Sequence, residues 1–243
     1  MSEKKVPIRK GSGDTPATRQ TSNAGEVAEF LRRAKAMSTF SGADSGRLVL
    51  ALDATMSRQP TWDLACTLQA EMFDAAGGTG KLEVQLVYFR GFGECRSSRF
   101  VTDTGALKDL MVKIDCRGGQ TQIRKVLSHT LAETQKQRVS ALVYIGDAME
   151  EDVDQLADKA GRLGMHGVPV FVFQEGRDTG AEIAFKEIAR LSKGAWFRFD
   201  QASAATLKRL LSSVAVYATG GFKALENRGT AEDRLMIEHM RGG

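Results

Sequence analysis

Two segments constrain the fold of this 243-residue chain more than any others. Ala141-Leu142-Val143-Tyr144-Ile145 and Val168-Pro169-Val170-Phe171-Val172-Phe173 are apolar at every successive residue. A strand with one wet face alternates apolar and polar, whereas a strand covered on both faces reads as an unbroken apolar run. Strands of this kind belong to a parallel sheet sandwiched between helices. The chain repeats the theme from Leu48 onward. Candidate strands at 48–53, 82–89, 95–101, 139–146, 168–173 and 195–199 alternate with helical periodicity around 59–76, 104–115, 121–136, 151–164, 180–192 and 203–217. The stretch Glu94-Cys95-Arg96-Ser97-Ser98-Arg99-Phe100 is more polar and closely follows Gly91 and Gly93. It suits an edge strand joined by a hairpin to 82–89, and hence antiparallel to it. The expectation is a three-layer α/β domain over about 47–220. Its sheet is doubly wound and mostly parallel, with one antiparallel edge strand and helices on both faces.

The flanks read differently. Residues 1–23 are rich in Gly, Ser, Thr, Pro and Lys and read as a disordered basic tail. Residues 24–46 read as a short amphipathic helix and linker, with Val27, Ala28, Phe30, Leu31 and Ala34 at helical spacing. The segment 221–243 is charged, with Leu235, Met236, Ile237 and Met240 clustered late; it reads equally as a docking helix or a frayed tail.

Charge narrows the function classes once it is located. Of 34 Lys/Arg and 30 Asp/Glu, nine basic and five acidic residues fall in 1–47. The remainder holds equal numbers of each sign, so the globular body is neutral and the excess belongs to the tail. A basic arm carrying Lys4, Lys5, Arg9, Lys10 and Arg19 leaves a nucleic-acid contact open, but a neutral body disfavours it. No apolar stretch approaches the length of a membrane span, and the N-terminus lacks a secretory apolar core, so the expected location is cytoplasmic. Cys66, Cys95 and Cys116 are odd in number and widely spaced, which fits reduced thiols and offers no zinc pattern.

The chemistry concentrates at strand ends. Leu48-Val49-Leu50-Ala51-Leu52 runs into Asp53, followed by hydroxyls at Thr55 and Ser57. A hard divalent cation takes oxygen ligands of this kind. Asp147 follows Ile145-Gly146 at the end of another buried run, the natural neighbour of the first strand where a doubly wound sheet reverses. Between them lies Arg117-Gly118-Gly119-Gln120-Thr121. Its structural reading is a helix start with Thr121 near the N-cap; its functional reading is a third oxygen donor, with glycines permitting close backbone approach. Likewise, Ser57 by itself would serve as a cap for the 59–76 helix.

Asp53-x-Thr55-x-Ser57, the later Gly-Gly-x-Thr121 and Asp147 together resemble the metal-ion-dependent adhesion site (MIDAS) of von Willebrand factor A domains, as does the order of elements over roughly 47–217. The resemblance implies a bound Mg²⁺ or Mn²⁺. The family's first aspartate corresponds to Asp53, its two motif serines to Thr55 and Ser57, its threonine to Thr121 and its second aspartate to Asp147. In that family the hydroxyls coordinate directly, the aspartates act mainly through water, and a partner's Asp or Glu completes the shell. The chain departs from the pattern at Thr55, where serine is usual, at Met56 and Arg58, where smaller or uncharged residues are common, and at Ala148, where glycine is frequent. Thr55 keeps the hydroxyl on a stiffer side chain.

Arg58, Phe92, Gly119 and Glu150 are the candidate partner contacts around that site. Glu150, Glu151, Asp152 and Asp154 read structurally as acids of a first helical turn, and functionally as groups that shape partner choice. Alternation buries either Tyr88 or Phe89, while Phe92 between two glycines is the harder to bury. Gly77-Gly78-Thr79-Gly80-Lys81 imitates a phosphate loop but lacks its spacing and precedes a strand, so it reads as a helix-ending turn.

The leading expectation is a non-enzymatic protein-interaction module that binds an acidic partner residue through the metal. No companion nucleophile and base are found. The family's bacterial members often assist AAA-type ATPases, a partner class that enters by analogy of fold alone. Two alternatives stand beside it. One is a Mg²⁺-dependent phosphohydrolase with Asp53 as nucleophile, although the haloacid-dehalogenase pattern places a second aspartate where Thr55 stands. The other is an RNA- or ribonucleoprotein-binding module.

Overall fold

The computed structural model describes residues 45–55, 72–78, 80–200 and 203–242. The expectations for residues 1–44, for Ser57 and Arg58, and for most of the 59–76 helix lie outside them. Six strands form one sheet: β1 (Gly46–Asp53), β2 (Leu82–Arg90), β3 (Glu94–Val101), β4 (Ala141–Gly146), β5 (Val170–Glu175) and β6 (Ala195–Phe199). Their order across the sheet is β3-β2-β1-β4-β5-β6. All pairings are parallel except the β2–β3 hairpin at the edge. The doubly wound sheet with one antiparallel edge strand is therefore the observed architecture.

The helices among the described residues are α1 (Thr104–Met111), α2 (Ile123–Lys136), α3 (Val153–Met165), α4 (Thr179–Ser192), α5 (Ala204–Arg228) and α6 (Ala231–Gly242). Residues 72–76 are also helical, and the turn at Gly77 and Gly78 that follows ends that helix, as the glycine-rich spacing predicts. Two apolar clusters separate the layers. Leu48, Leu50 and Leu52 of β1 pack with Leu107 of α1, Leu211 and Val214 of α5 and Met236 of α6. Val49 and Ala51, alternating with them, pack with Val126 of α2, Leu156 of α3 and Phe185 of α4. Every residue of β1 is buried, which is why its sequence shows no polar alternation.

Boundaries shift where local chemistry overrides the apolar pattern. β5 begins at Val170 because Pro169 lacks a donor for the ladder; its carbonyl nevertheless accepts from Leu142 N at 3.0 Å. α1 stops at Met111, where the expectation ran to 115; Ile114 N turns back to Met111 O at 3.1 Å. α5 runs eleven residues past its expected end at 217, across a break at Gly221, where φ is +65° and glycine alone adopts the backbone at little cost.

Beyond that break the C-terminal segment is helical and anchored. Thr230 and Asp233 form a reciprocal capping box: Asp233 N donates to Thr230 Oγ1 at 3.1 Å, and Thr230 N donates to Asp233 Oδ2 at 3.0 Å. Arg228 closes on the fully buried Asp233 carboxylate with Nε at 2.8 Å and Nη2 at 2.5 Å. Burial opposes ionisation of Asp233, but its hydrogen bonds from Arg228, Ser213 and Thr230 prevail and hold its pKa below the usual carboxylate value. No helix among the described residues is long and apolar enough to cross a membrane.

Candidate metal centre

The winding reverses between β1 and β4. From β1 the chain proceeds to β2 and β3 on one side, then returns to β4 on the other. Loops leaving the carboxyl ends of β1 and β4 therefore diverge and leave a crevice. Asp53 is the last residue of β1, and Leu52 pairs with Ile145, two residues before Asp147. The crevice has a volume of about 210 Å³ and is lined by Asp53, Thr55, Gly118, Gly119, Thr121, Asp147, Ala148 and Glu150. Four of the five expected metal ligands thus meet in one place, brought there by three separate segments. Ser57, the fifth, lies outside the described residues.

Each donor is held by its own local bonding. Asp53 is 3% exposed, and its Oδ1 accepts from Thr55 N at 2.8 Å, a tight turn that sets the course of the chain leaving β1. Ala54 extends the ladder by one rung, its N donating to Phe89 O at 2.9 Å, and its carbonyl accepts from Arg117 N at 3.0 Å. That second bond ties the glycine loop to the β1 exit. Thr121, 7% exposed, exchanges two bonds with Glu150: Thr121 N donates to Oε2 at 3.2 Å, and Glu150 N donates to Thr121 Oγ1 at 3.1 Å. The loop after β4 is thereby locked to the segment that opens α2.

Thr121 stands beside the N-cap position of α2, Gln122, as expected, and Gln122 makes no side-chain capping bond. One expectation for these loops needs correction. Glu150 and Glu151 do not belong to the first turn of α3, whose N-cap is Asp152, accepting from Gln155 N at 3.0 Å, and whose first-turn acid is Asp154. Glu151 instead reaches across to α2, where its carboxylate accepts from Ile123 N and, at 3.0 Å, from Arg124 N. An anionic group on the exposed amides of a helix start satisfies both the unpaired donors and the helix dipole.

Sequence reading missed three groups that brace the crevice: Gln122, Lys125 and the capping role of Glu151. Gln122 Nε2 donates to the carbonyls of Arg90 (3.3 Å) and Glu94 (3.2 Å), and Lys125 Nζ donates to Gly93 O at 2.8 Å. All three act across the fold, where no spacing signals them. The one available hint was the absence of an acidic residue from the first turn of α2, which leaves its donors to be met from elsewhere. Gly119 is used more literally than expected: a Cβ there would lie 2.3 Å from the backbone N and O of Gly91. The glycine loop and the β2–β3 hairpin tip are in backbone contact, reinforced by Gln120 N donating to Gly91 O at 3.2 Å.

Of the aromatic pair, Phe89 is the buried member and Tyr88 is half-buried, its hydroxyl 3.3 Å from Glu94 Oε1. Phe92 is 87% exposed at the hairpin tip.

The donor set is all oxygen: the carboxylates of Asp53 and Asp147 and the hydroxyls of Thr55 and Thr121. Among the described residues no three His, Cys, Asp or Glu side chains form a metal-binding group. A shell here therefore needs its hydroxyls, and a hydroxyl-and-carboxylate set suits a hard cation such as Mg²⁺ or Mn²⁺ rather than a thiophilic one.

Neither a protein-family model nor a curated protein matches the chain. Solved structures do. An aerotolerance-related membrane protein from Bacteroides fragilis superposes with a TM-score of 0.55 at 19% identity, over 70% of this chain and 98% of that one. The von Willebrand factor type A structure from Catenulispora acidiphila gives a TM-score of 0.58 at 15% identity, over 73% of this chain and 43% of that one. Proximal thread matrix protein 1 from the mussel byssus, solved with a zinc-occupied MIDAS motif, gives 0.55 at 16% identity, over 73% and 46%. The chain spans less than half the length of the latter two. At such identities the likeness is one of architecture, and with its sheet order and reversal point on the page the conclusion is plain: the chain has the von Willebrand factor A fold.

Proposed function

We propose that the chain is a protein-interaction module that holds a divalent cation, Mg²⁺ or Mn²⁺, in the crevice between β1 and β4 and recruits a partner's Asp or Glu carboxylate to it. The observation that carries this reading is the convergence of Asp53, Thr55, Thr121 and Asp147 on one crevice of about 210 Å³. The mussel protein with the same architecture and a zinc-occupied MIDAS motif supports a metal in this position. Bound, the cation supplies a charge that attracts and orients an anionic oxygen.

The chain's own residues do the rest. Asp53 and Asp147 provide negative charge at adjacent strand ends, and Thr55 and Thr121 provide neutral oxygens. The two carboxylates match the cation's charge in number, so a partner carboxylate gains only where they act through water and the oxygens bound directly are the neutral hydroxyls. The bond from Thr55 N to Asp53 Oδ1 and the paired bonds between Thr121 and Glu150 hold these donors before any ion arrives, which lowers the ordering cost of coordination.

Thermal unfolding during a Mg²⁺ titration tests the reading. A ligand at a hundredfold its dissociation constant stabilises the folded state by about 2.7 kcal/mol. For a domain of this size that raises Tm by roughly 5–10 °C. Asp53→Asn and Thr121→Ala are expected to remove the shift, and EDTA to reverse it. An equal shift in Asp53→Asn, or none at saturating Mg²⁺ and Mn²⁺, overturns the assignment.

A further inference from the structure

Phe92 exposes an aromatic ring at a hairpin tip, between Gly91 at φ +60° and Gly93 at φ +121°. Tips of this geometry usually carry small polar residues. A single exposed apolar side chain is common on protein surfaces, so exposure alone decides nothing; the bracing around this ring does. Four hydrogen bonds run from residues 120–125 to the hairpin: Gln120 N to Gly91 O, Gln122 Nε2 to the carbonyls of Arg90 and Glu94, and Lys125 Nζ to Gly93 O. Gly119, on the crevice wall, touches the Gly91 backbone. The backbone that carries the ring is therefore held beside the crevice, which lowers the ordering cost of a contact made there.

Charge around the tip and crevice is unequal by sign. Two acids are held by the fold, Glu94 by Arg90 and Arg96 at 3.1 Å each and Glu151 by the α2 amides. Four cations, Arg96, Arg117, Arg124 and Lys125, are exposed there against two exposed acids, Asp115 and Glu150. That excess of exposed positive charge favours an acidic approaching surface.

We propose that Phe92 is a second anchor point, seated in an apolar socket of an acidic partner protein whose neighbouring carboxylate meets the crevice. This rests on the metal-bridged reading above. The two points together specify the partner: a carboxylate alone fits too many surfaces, whereas a carboxylate at a set distance from an apolar socket selects few. Aromatic anchors of this kind dominate binding energy at protein interfaces.

The test uses the full chain with Mg²⁺ and a library of random displayed dodecapeptides. Enriched sequences are expected to pair Asp or Glu with apolar residues at recurring spacing. Their affinity is expected to fall at least tenfold in Phe92→Ser, with Mg²⁺ binding and unfolding temperature unchanged. Peptides that bind Phe92→Ser as tightly as the parent overturn the anchor while leaving the metal reading intact. Peptides that need Phe92 but ignore EDTA overturn the metal bridge, and the two-point proposal falls with it. Absence of any acidic, apolar enrichment also overturns it, as does Phe92-dependent self-association in sedimentation, which assigns the ring to a second copy of the chain. Salt-sensitive RNA binding lost in Phe92→Ser assigns it to nucleic acid and refutes the acidic partner.

Discussion

Replacing Glu151 with alanine isolates the contact on which the crevice wall depends. α2 has no acidic residue in its first turn and no side-chain cap of its own. Its first amides, Ile123 N and Arg124 N, are both satisfied by the Glu151 carboxylate, 28 and 27 residues away in sequence. Losing a helix cap costs about 0.5–2 kcal/mol, and losing a negative charge at a helix N-terminus costs about 0.3–1 kcal/mol. The two overlap, since the same oxygens perform both roles, so the expected loss is roughly 2 kcal/mol. At about 2–4 °C per kcal/mol for a domain of this size, Tm falls by roughly 4–8 °C.

Urea denaturation gives the free energy, and native-state amide exchange gives the location. The Ile123 and Arg124 amides are expected to lose protection in Glu151→Ala, while amides of α3 and α4 keep theirs. Glu151→Gln retains one acceptor oxygen without the charge and should lose about half as much. Because Thr121 lies two residues before Ile123, Mg²⁺ binding should weaken in the alanine variant as well. A loss under about 0.5 kcal/mol with unchanged protection at Ile123 and Arg124 refutes the reasoning: water would then cap the helix as well as the carboxylate does.

The other predictions concern separate parts of the fold. Asp233→Ala removes one side of a buried, doubly bonded ion pair and leaves Arg228 without its partner, so a loss of about 3–5 kcal/mol is expected in urea denaturation; a loss below about 1 kcal/mol would show that the C-terminal helix contributes little. Since the folded pKa of Asp233 lies below its unfolded value, its stabilisation is present above the unfolded carboxylate pKa and is lost as pH falls through the folded one, so acid unfolding should begin at higher pH in the variant. His129, partly buried with Nε2 2.9 Å from Gln85 Oε1, has its pKa lowered by that burial. Its contribution therefore holds above the unfolded imidazole value and declines as pH drops below it; His129→Gln should flatten the stability profile below about pH 6.5, and an unaltered slope there counts against it. Gly119→Ala places a Cβ 2.3 Å from the Gly91 backbone, so the hairpin tip must move, at a cost of about 1–3 kcal/mol; faster exchange at the Gln120 amide reports that movement, and unchanged exchange argues against it.

What was legible in the sequence follows from the range of each interaction. Burial on both faces writes itself into consecutive residues, so Leu48–Leu52, Ala141–Ile145 and Val170–Phe173 announce central parallel strands, and the polar run Glu94–Phe100 announces an edge. Asp53 and Asp147 stand out for the same reason: each interrupts an apolar run where the strand leaves the sheet. Once the sheet reverses between those two strands, their ends must face one crevice, and Thr121 joins because the chain between Arg90 and β4 has to pass it. The groups that hold this arrangement rigid obey no such local rule. Glu151 looks like the first-turn acid of its own helix, yet it serves another; Gln122 looks like an unremarkable first residue, yet its amide fastens the β2–β3 hairpin. Their partners are fixed by tertiary packing, where any carboxylate or amide of the right reach serves, and residue type alone does not say which helix is being capped. Candidate ligand positions are thus more legible than the bracing that gathers them into one crevice, and it is the bracing that distinguishes this crevice from a strand end with two ordinary caps.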